Sequence, residues 1–199
     1  MTTPFTDPAL ALLEFDSIAT GIAAGDAMIK RAPVTQIRAG TIQPGHYLVL
    51  VTGDVASVEE AVKAGQETGR SCLQDTLFLP NVHEGVVAAL FNGRQPVNKE
   101  ALGIVETRTV AAAIRAADAG LKGAEVQLVQ LRLGDGLGGK GLALFTGLVA
   151  DVEAAVEIST AVAHDQLFHH AIISQLDGEM KENVGGNGRF GRHFNWENY

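Results

Sequence analysis

Two carboxylates occur twice in this chain. Glu14 and Glu106 close apolar runs, Asp26 and Asp118 lie within helical ones, and 92 positions separate the members of each pair. A carboxylate pair does general acid/base work when its surroundings push the two pKa values apart. Carboxylates repeated at one fixed spacing are instead copies of a structural device. Each aspartate also precedes a lysine by four residues, Asp26 before Lys30 and Asp118 before Lys122, the spacing of an ion pair on one helix face.

The remaining candidates for chemistry do not assemble into a catalytic set. His164, His169 and His170 are close in sequence. His164 closes a helical segment, while the other two point to opposite faces of a strand, which excludes a shared metal on one face. Cys72 is the single cysteine, so it forms no internal disulfide and reads as a small apolar residue near a helix end. The run from Gly134 to Lys140 is glycine-rich, but Gly141 follows Lys140, so the phosphate-binding pattern that ends in lysine and a hydroxyl residue is missing. A tight turn fits better. We expect no catalytic residues, no metal and no cofactor.

These residues ride on a duplicated framework. The segment from Glu14 to Val34 recurs from Glu106 to Val126 without a gap, and the offset grows from 92 to 94 by the Thr52 and Thr146 pair. The two added residues belong in the strand-turn-strand region. Each copy reads as strand, helix, strand, strand, helix, strand, the order of a ferredoxin-like split unit, an α+β class with helices packed on an antiparallel sheet. In the first copy strands are expected at 9–15, 34–39, 47–52 and 72–79, with helices at 18–32 and 55–70 and a short helix up to Phe91. In the second, strands fall near 101–107, 125–134, 140–146 and 166–173, with helices near 109–123 and 149–163. Ser17, Asp54 and Thr109 stand where N-caps belong. The first helix is expected to bury Ile18, Ile22, Gly25 and Ile29, and its copy to pack in the same way through Val110, Ile114, Ala117 and Leu121. Its glycines and alanines imply close approach of another backbone. Domain boundaries follow: an arm at 1–8, a first domain at 9–93, a linker at 94–100, a second domain at 101–180 and a tail at 181–199.

Composition narrows the function. Net charge is −8 with no basic cluster, whereas nucleic-acid binding needs a positive stripe to displace counterions. No apolar run approaches the roughly 20 residues of a membrane span. The first seven residues lack the features of a secretory signal, so a cytoplasmic location is expected.

Taken in order, the motifs resemble the bacterial microcompartment shell-protein domain, twice over. The second copy carries the family's strand at Ala101 to Thr107, its helix at Ala116 to Ala119 with Lys122, and Val126. The first carries Ala11 to Glu14, Gly25 to Met28 with Lys30, Gly53 to Val55, and Pro80 to His83. Two such domains in tandem are similar to the trimeric shell proteins, most nearly those of the propanediol-utilisation type. That resemblance implies a pseudohexameric homotrimer that tiles a shell with other hexameric and pentameric shell proteins. It implies a central pore for small polar metabolites, lined by Gln43, Pro44, Gly45, Leu137, Gly138 and Gly139. Glycine amides there would favour anionic or polar solutes, and Asp135 would oppose anions.

The resemblance also places Lys30, Lys122, Asn81 and His83 at tile edges. The family's Pro-Arg-Pro-His edge motif survives only as Pro80 to His83, and Ser174 to Asp177 stands in its place in the second copy. Some relatives hold an iron-sulfur cluster through a cysteine in the first turn. Gln43 occupies that position here, and an amide does not replace a thiolate, so no cluster is expected. Residues 181–199 match nothing in the pattern. The aromatics Phe190, Phe194, Trp196 and Tyr199 after a glycine hinge suit docking onto a shell face or an encapsulated enzyme. A competing reading from another class is a ferredoxin-like regulator that binds a small molecule.

Overall fold

A computed structural model describes residues 7–186. The chain forms two modules in sequence, each a four-stranded antiparallel sheet with two helices on one face. The first consists of β1 (Ala9–Phe15), α1 (Ile18–Arg31), β2 (Gln36–Ile42), β3 (His46–Gly53), α2 (Val55–Gly69), β4 (Leu73–Leu79) and α3 (Glu84–Asn92). The second consists of β5 (Ala101–Thr107), α4 (Val110–Gly123), β6 (Gln127–Leu133), β7 (Gly141–Gly147), α5 (Val149–Ala163), β8 (Leu167–Ile173) and α6 (Gly178–Gly185). The strand orders β2-β3-β1-β4 and β6-β7-β5-β8 are the same, with every neighbour antiparallel. This is the expected ferredoxin-like arrangement, made twice.

Local chemistry explains the element ends. The side chains of Ser17, Asp54 and Thr109 accept the amides of Thr20, Ser57 and Ala112, which satisfies donors that a helix start leaves open. Lys30 lies 2.6 Å from Asp26, and Lys122 lies 2.6 Å from Asp118, so both four-residue ion pairs form. The central strands β1 and β3 alternate between two apolar surfaces. Ala11, Leu13, Phe15, Val49 and Val51 face α1 and α2, where Ala24, Met28, Val58 and Ala61 meet them. Small residues set this distance: a Cβ at Gly69 would lie 2.1 Å from Phe15, and one at Gly21 would lie 2.6 Å from the Tyr47 ring.

The opposite face of the first sheet presents Leu10, Leu12, Leu48, Leu50 and Leu77. These residues join one core with Val86 and Ala89 of α3 and with Val110, Ile114, Ala117 and Leu121 of α4. The second module therefore covers much of the back of the first. The corresponding back of the second sheet holds a smaller cluster of Leu102, Leu144, Val129 and Leu176, backed by Val97 and Val184.

Two expectations need correction. Helix α1 buries Gly21, Ala24, Gly25 and Met28, while Ile18, Ile22 and Ile29 are 41%, 54% and 47% exposed. Their counterparts Val110, Ile114 and Leu121 are 0%, 0% and 8% exposed. The two helices share a pattern but do not pack alike, because α4 has a second module to pack against within the chain and α1 does not. In addition, residue 180 does not end the second module. Helix α6 runs on to Gly185 and stands where α3 stands in the first module, at the same offset of 94 that relates β4 to β8. The tail aromatics Phe190, Phe194, Trp196 and Tyr199 lie outside the described residues.

Candidate functional site

Glu14 shows how the two modules are joined. Its side chain is fully buried. One carboxylate oxygen lies 3.0 Å from Nδ1 of His46, and the other accepts the backbone amide of Val110 at 2.8 Å, at the first turn of α4. A carboxylate at a helix start meets both open amides and the positive end of the helix dipole. Burial raises the Glu14 pKa above its ordinary value, partly offset by His46 and by the amides of Val110 and Ala111.

Further contacts cross the same seam. Thr109 donates its hydroxyl proton to Asp75. Arg115 reaches Asp75 at 3.3 Å and the carbonyl of Thr76 at 2.6 Å. Asp118 accepts the amide of His83 at 2.8 Å, and Lys122 donates to the carbonyl of Asn81. Three of the four expected edge residues, Lys122, Asn81 and His83, are thus brought together where α4 meets the loop before α3. Lys30 lies apart from them on α1, with its exposed Asp26 partner. Sequence reasoning missed Glu14 as a seam residue. Its repetition was visible, but its partner amide was not.

The two turns meet at one end of this seam. Gln43, Pro44 and Gly45 form the β2-β3 turn, and residues 134–140 form the longer β6-β7 turn. A Cβ on Gly139 would lie 3.0 Å from Cδ of Pro44 and 3.2 Å from the carbonyl oxygen of Gln43. The φ of +87° at Gly139 adds a second reason for glycine there. The two residues that lengthen the second copy fall in this turn, since His46 and Lys140 occupy matching places and pair with Glu14 and Glu106. Leu137 and Gly138 lie on the same turn. Gln43 brings no thiolate, Cys72 lies in the turn just before β4, and among the described residues no three His, Cys, Asp or Glu side chains gather as a metal site.

Beside the turns a groove of about 290 Å³ opens on the back of the first sheet, lined by Leu12, Arg38, Leu48, Leu50, Phe91 and Leu133 among others. The Arg38 guanidinium sits 4.7 Å from the centre of the Phe91 ring. Among the described residues no helix is long and apolar enough to cross a membrane.

Comparison with known proteins agrees with the duplication. The BMC domain model matches residues 9–82 and again residues 101–176. A bacterial microcompartment shell protein, PduT of Citrobacter freundii, is 40% identical over 174 residues, which covers 86% of this chain and 95% of the relative. A carboxysome assembly protein, CcmO of Synechocystis, is 31% identical over 183 residues, covering 84% of this chain but 61% of the relative. The crystal structure of a microcompartments protein from Desulfitobacterium hafniense superposes with a TM-score of 0.77 at 38% identity, over 89% of this chain and 99% of that one. A fused permuted hexameric shell protein shares the fold, with a TM-score of 0.59 at 19% identity.

Proposed function

The chain belongs to the BMC domain family, with both of its modules matched, and from that premise we propose that it works as a ring of three chains. It is a structural shell protein of a bacterial microcompartment. Six modules arranged around an axis would make a flat pseudohexagonal tile, which packs beside other hexameric and pentameric tiles in a shell within the cytoplasm. Its role is structural rather than catalytic.

The observation that carries this reading is the unequal exposure of α1 and α4. One module-to-module seam is complete within the chain. The surface that α4 mates through Val110, Ile114 and Leu121 is left open on α1 as Ile18, Ile22 and Ile29. The partner surface is open as well: Val86 of α3 is buried, while Met180 at the matching place in α6 is 50% exposed. A contact between unlike surfaces repeats head to tail and either closes into a ring or grows into a filament. Burying the exposed half of each isoleucine contributes on the order of 1 kcal/mol. In a closed ring every seam would bring a pair of turns to the axis, so Gln43, Pro44, Gly45, Leu137, Gly138 and Gly139 would surround the opening. Lys30 and Lys122 would sit towards the rim.

Native mass spectrometry and electron microscopy test this together. A trimer that forms hexagonal sheets, or that enters shells with partner tiles, supports the assignment, and Ile22→Asp should then give monomers. The groove beside Phe91 favours a second reading, a monomeric regulator that binds a small apolar ligand. A wild-type monomer that binds such a ligand and never assembles would establish that reading instead.

A further inference from the structure

We propose that Glu106 of one copy of the chain caps helix α1 of the next copy. The inference rests on the ring proposed above and adds the residue that closes each seam between chains.

The chain displays both halves of this contact, unmated. At the inner seam Glu14 is steadied by His46 on one oxygen and accepts the Val110 amide on the other. Glu106 occupies the matching place on β5, opposite Leu142 just as Glu14 is opposite Leu48. It is steadied in the same way, with Lys140 at 2.8 Å from Oε2, and lies partly exposed. Among the described residues its Oε1 accepts nothing. On the other side, Ser17 satisfies Thr20 through its hydroxyl and Gly21 through its carbonyl. The amides of Ile18 and Ala19, which match Val110 and Ala111, have no acceptor among the described residues, and both residues are exposed.

An apolar surface surrounds both halves. Ile18, Ile22 and Ile29 flank the open helix start. Ile173 and Met180 flank the side of the second module that corresponds to Leu79 and Val86 in the mated seam. The occupant of each surface is therefore a second copy of this chain. Closing the contact would bury a fixed carboxylate against two open amides, where water no longer competes.

Hydrogen exchange at the amides of Ile18 and Ala19 reads this contact directly, beside the trimer dissociation constant from a dilution series. In the wild-type trimer both amides should exchange at least about tenfold more slowly than in the dissociated chain. Glu106→Ala should restore fast exchange at these two amides and raise the dissociation constant about tenfold or more. Lys140→Ala, which leaves the carboxylate in place, should keep most of the protection and shows whether loss of the Lys140 pair alone explains the change. A trimer whose Ile18 and Ala19 exchange is the same in wild type and Glu106→Ala overturns the cap and leaves the ring standing. A wild type that stays monomeric at high concentration overturns the ring and the cap with it.

Discussion

The Glu14 carboxylate accepts the Val110 amide at 2.8 Å although 96 positions separate them. One acidic side chain thereby ties the end of the first strand to the start of a helix in the next module. Its setting also makes it a pH-sensitive element. Burial raises its folded-state pKa above the ordinary 4.5, so the folded chain binds this proton more readily than the unfolded chain does. Stability from this source is fully present below the unfolded value of 4.5 and is lost as pH rises through the higher folded value.

Glu14→Gln should therefore flatten part of the pH profile. The amide keeps a carbonyl oxygen for Val110 but cannot titrate. Urea unfolding from pH 7 down towards 4.5 should show the wild type gaining stability relative to the variant as pH falls. Each pH unit between the two pKa values corresponds to about 1.4 kcal/mol. Parallel profiles would mean that Glu14 does not titrate differently on folding.

The inner seam has an ionic tie that the matching outer surfaces lack. Arg115 reaches Asp75 at 3.3 Å and the Thr76 carbonyl at 2.6 Å. The corresponding positions are Ala23 on α1 and His169 on β8, which pairs with Glu106 as Asp75 pairs with Glu14. In the proposed ring, transplanting the tie as Ala23→Arg with His169→Asp should strengthen the contact between chains. A half-buried pair of this kind is worth about 1 kcal/mol, or roughly fivefold in each seam. Analytical ultracentrifugation of the double variant and both single variants checks this, and only the double variant should tighten the trimer.

The repeat, the strands and the helices were legible because apolar period and capping residues are local signals. Strands 9–15 and 101–107 and helix 149–163 fall where the pattern puts them. The buried side of α1 was not legible. Large isoleucines mark one stripe, but the chain's own sheet is met by Gly21, Ala24, Gly25 and Met28. These small residues score as weakly apolar and yet allow the closest approach. A helix that serves two partners carries two apolar stripes, and the larger side chains need not face the partner in the same module. The continuation of α6 to Gly185 was hidden by its polar composition. The neighbourhood of the two turns could be inferred only once the duplication and the resemblance were combined.

Lys30 offers a clean test of edge contact. It is mostly exposed and, among the described residues, pairs only with Asp26 within its own helix, a link worth at most about 0.5 kcal/mol. Lys30→Ala should leave the thermal midpoint nearly unchanged. If this lysine bridges neighbouring tiles, flat arrays should disappear from electron micrographs while the trimer mass persists. Lys122 is less suitable, because it also holds the Asn81 carbonyl and Asp118 within the chain. Normal sheets from Lys30→Ala would remove it from the edge.

The two copies of the second helix start differ at the cap position, which gives a stabilising prediction. Asp54 has φ −69° and ψ 157° and accepts the Ser57 amide at 3.0 Å. Leu148 has nearly the same backbone, φ −69° and ψ 155°, but makes no side-chain cap and is 60% exposed. Leu148→Asn places an acceptor where the geometry already suits one, and it avoids adding a second negative charge beside Asp151 in the first turn. A cap of this type contributes about 1 kcal/mol, which for a chain of this size raises the thermal midpoint by about 2–4 °C. The control is Asp54→Leu, which should lower the midpoint by a similar amount. A Leu148→Asn variant that melts below the wild type while Asp54→Leu behaves as expected would mean that Leu148 contributes packing outside the single chain, at a surface covered on assembly.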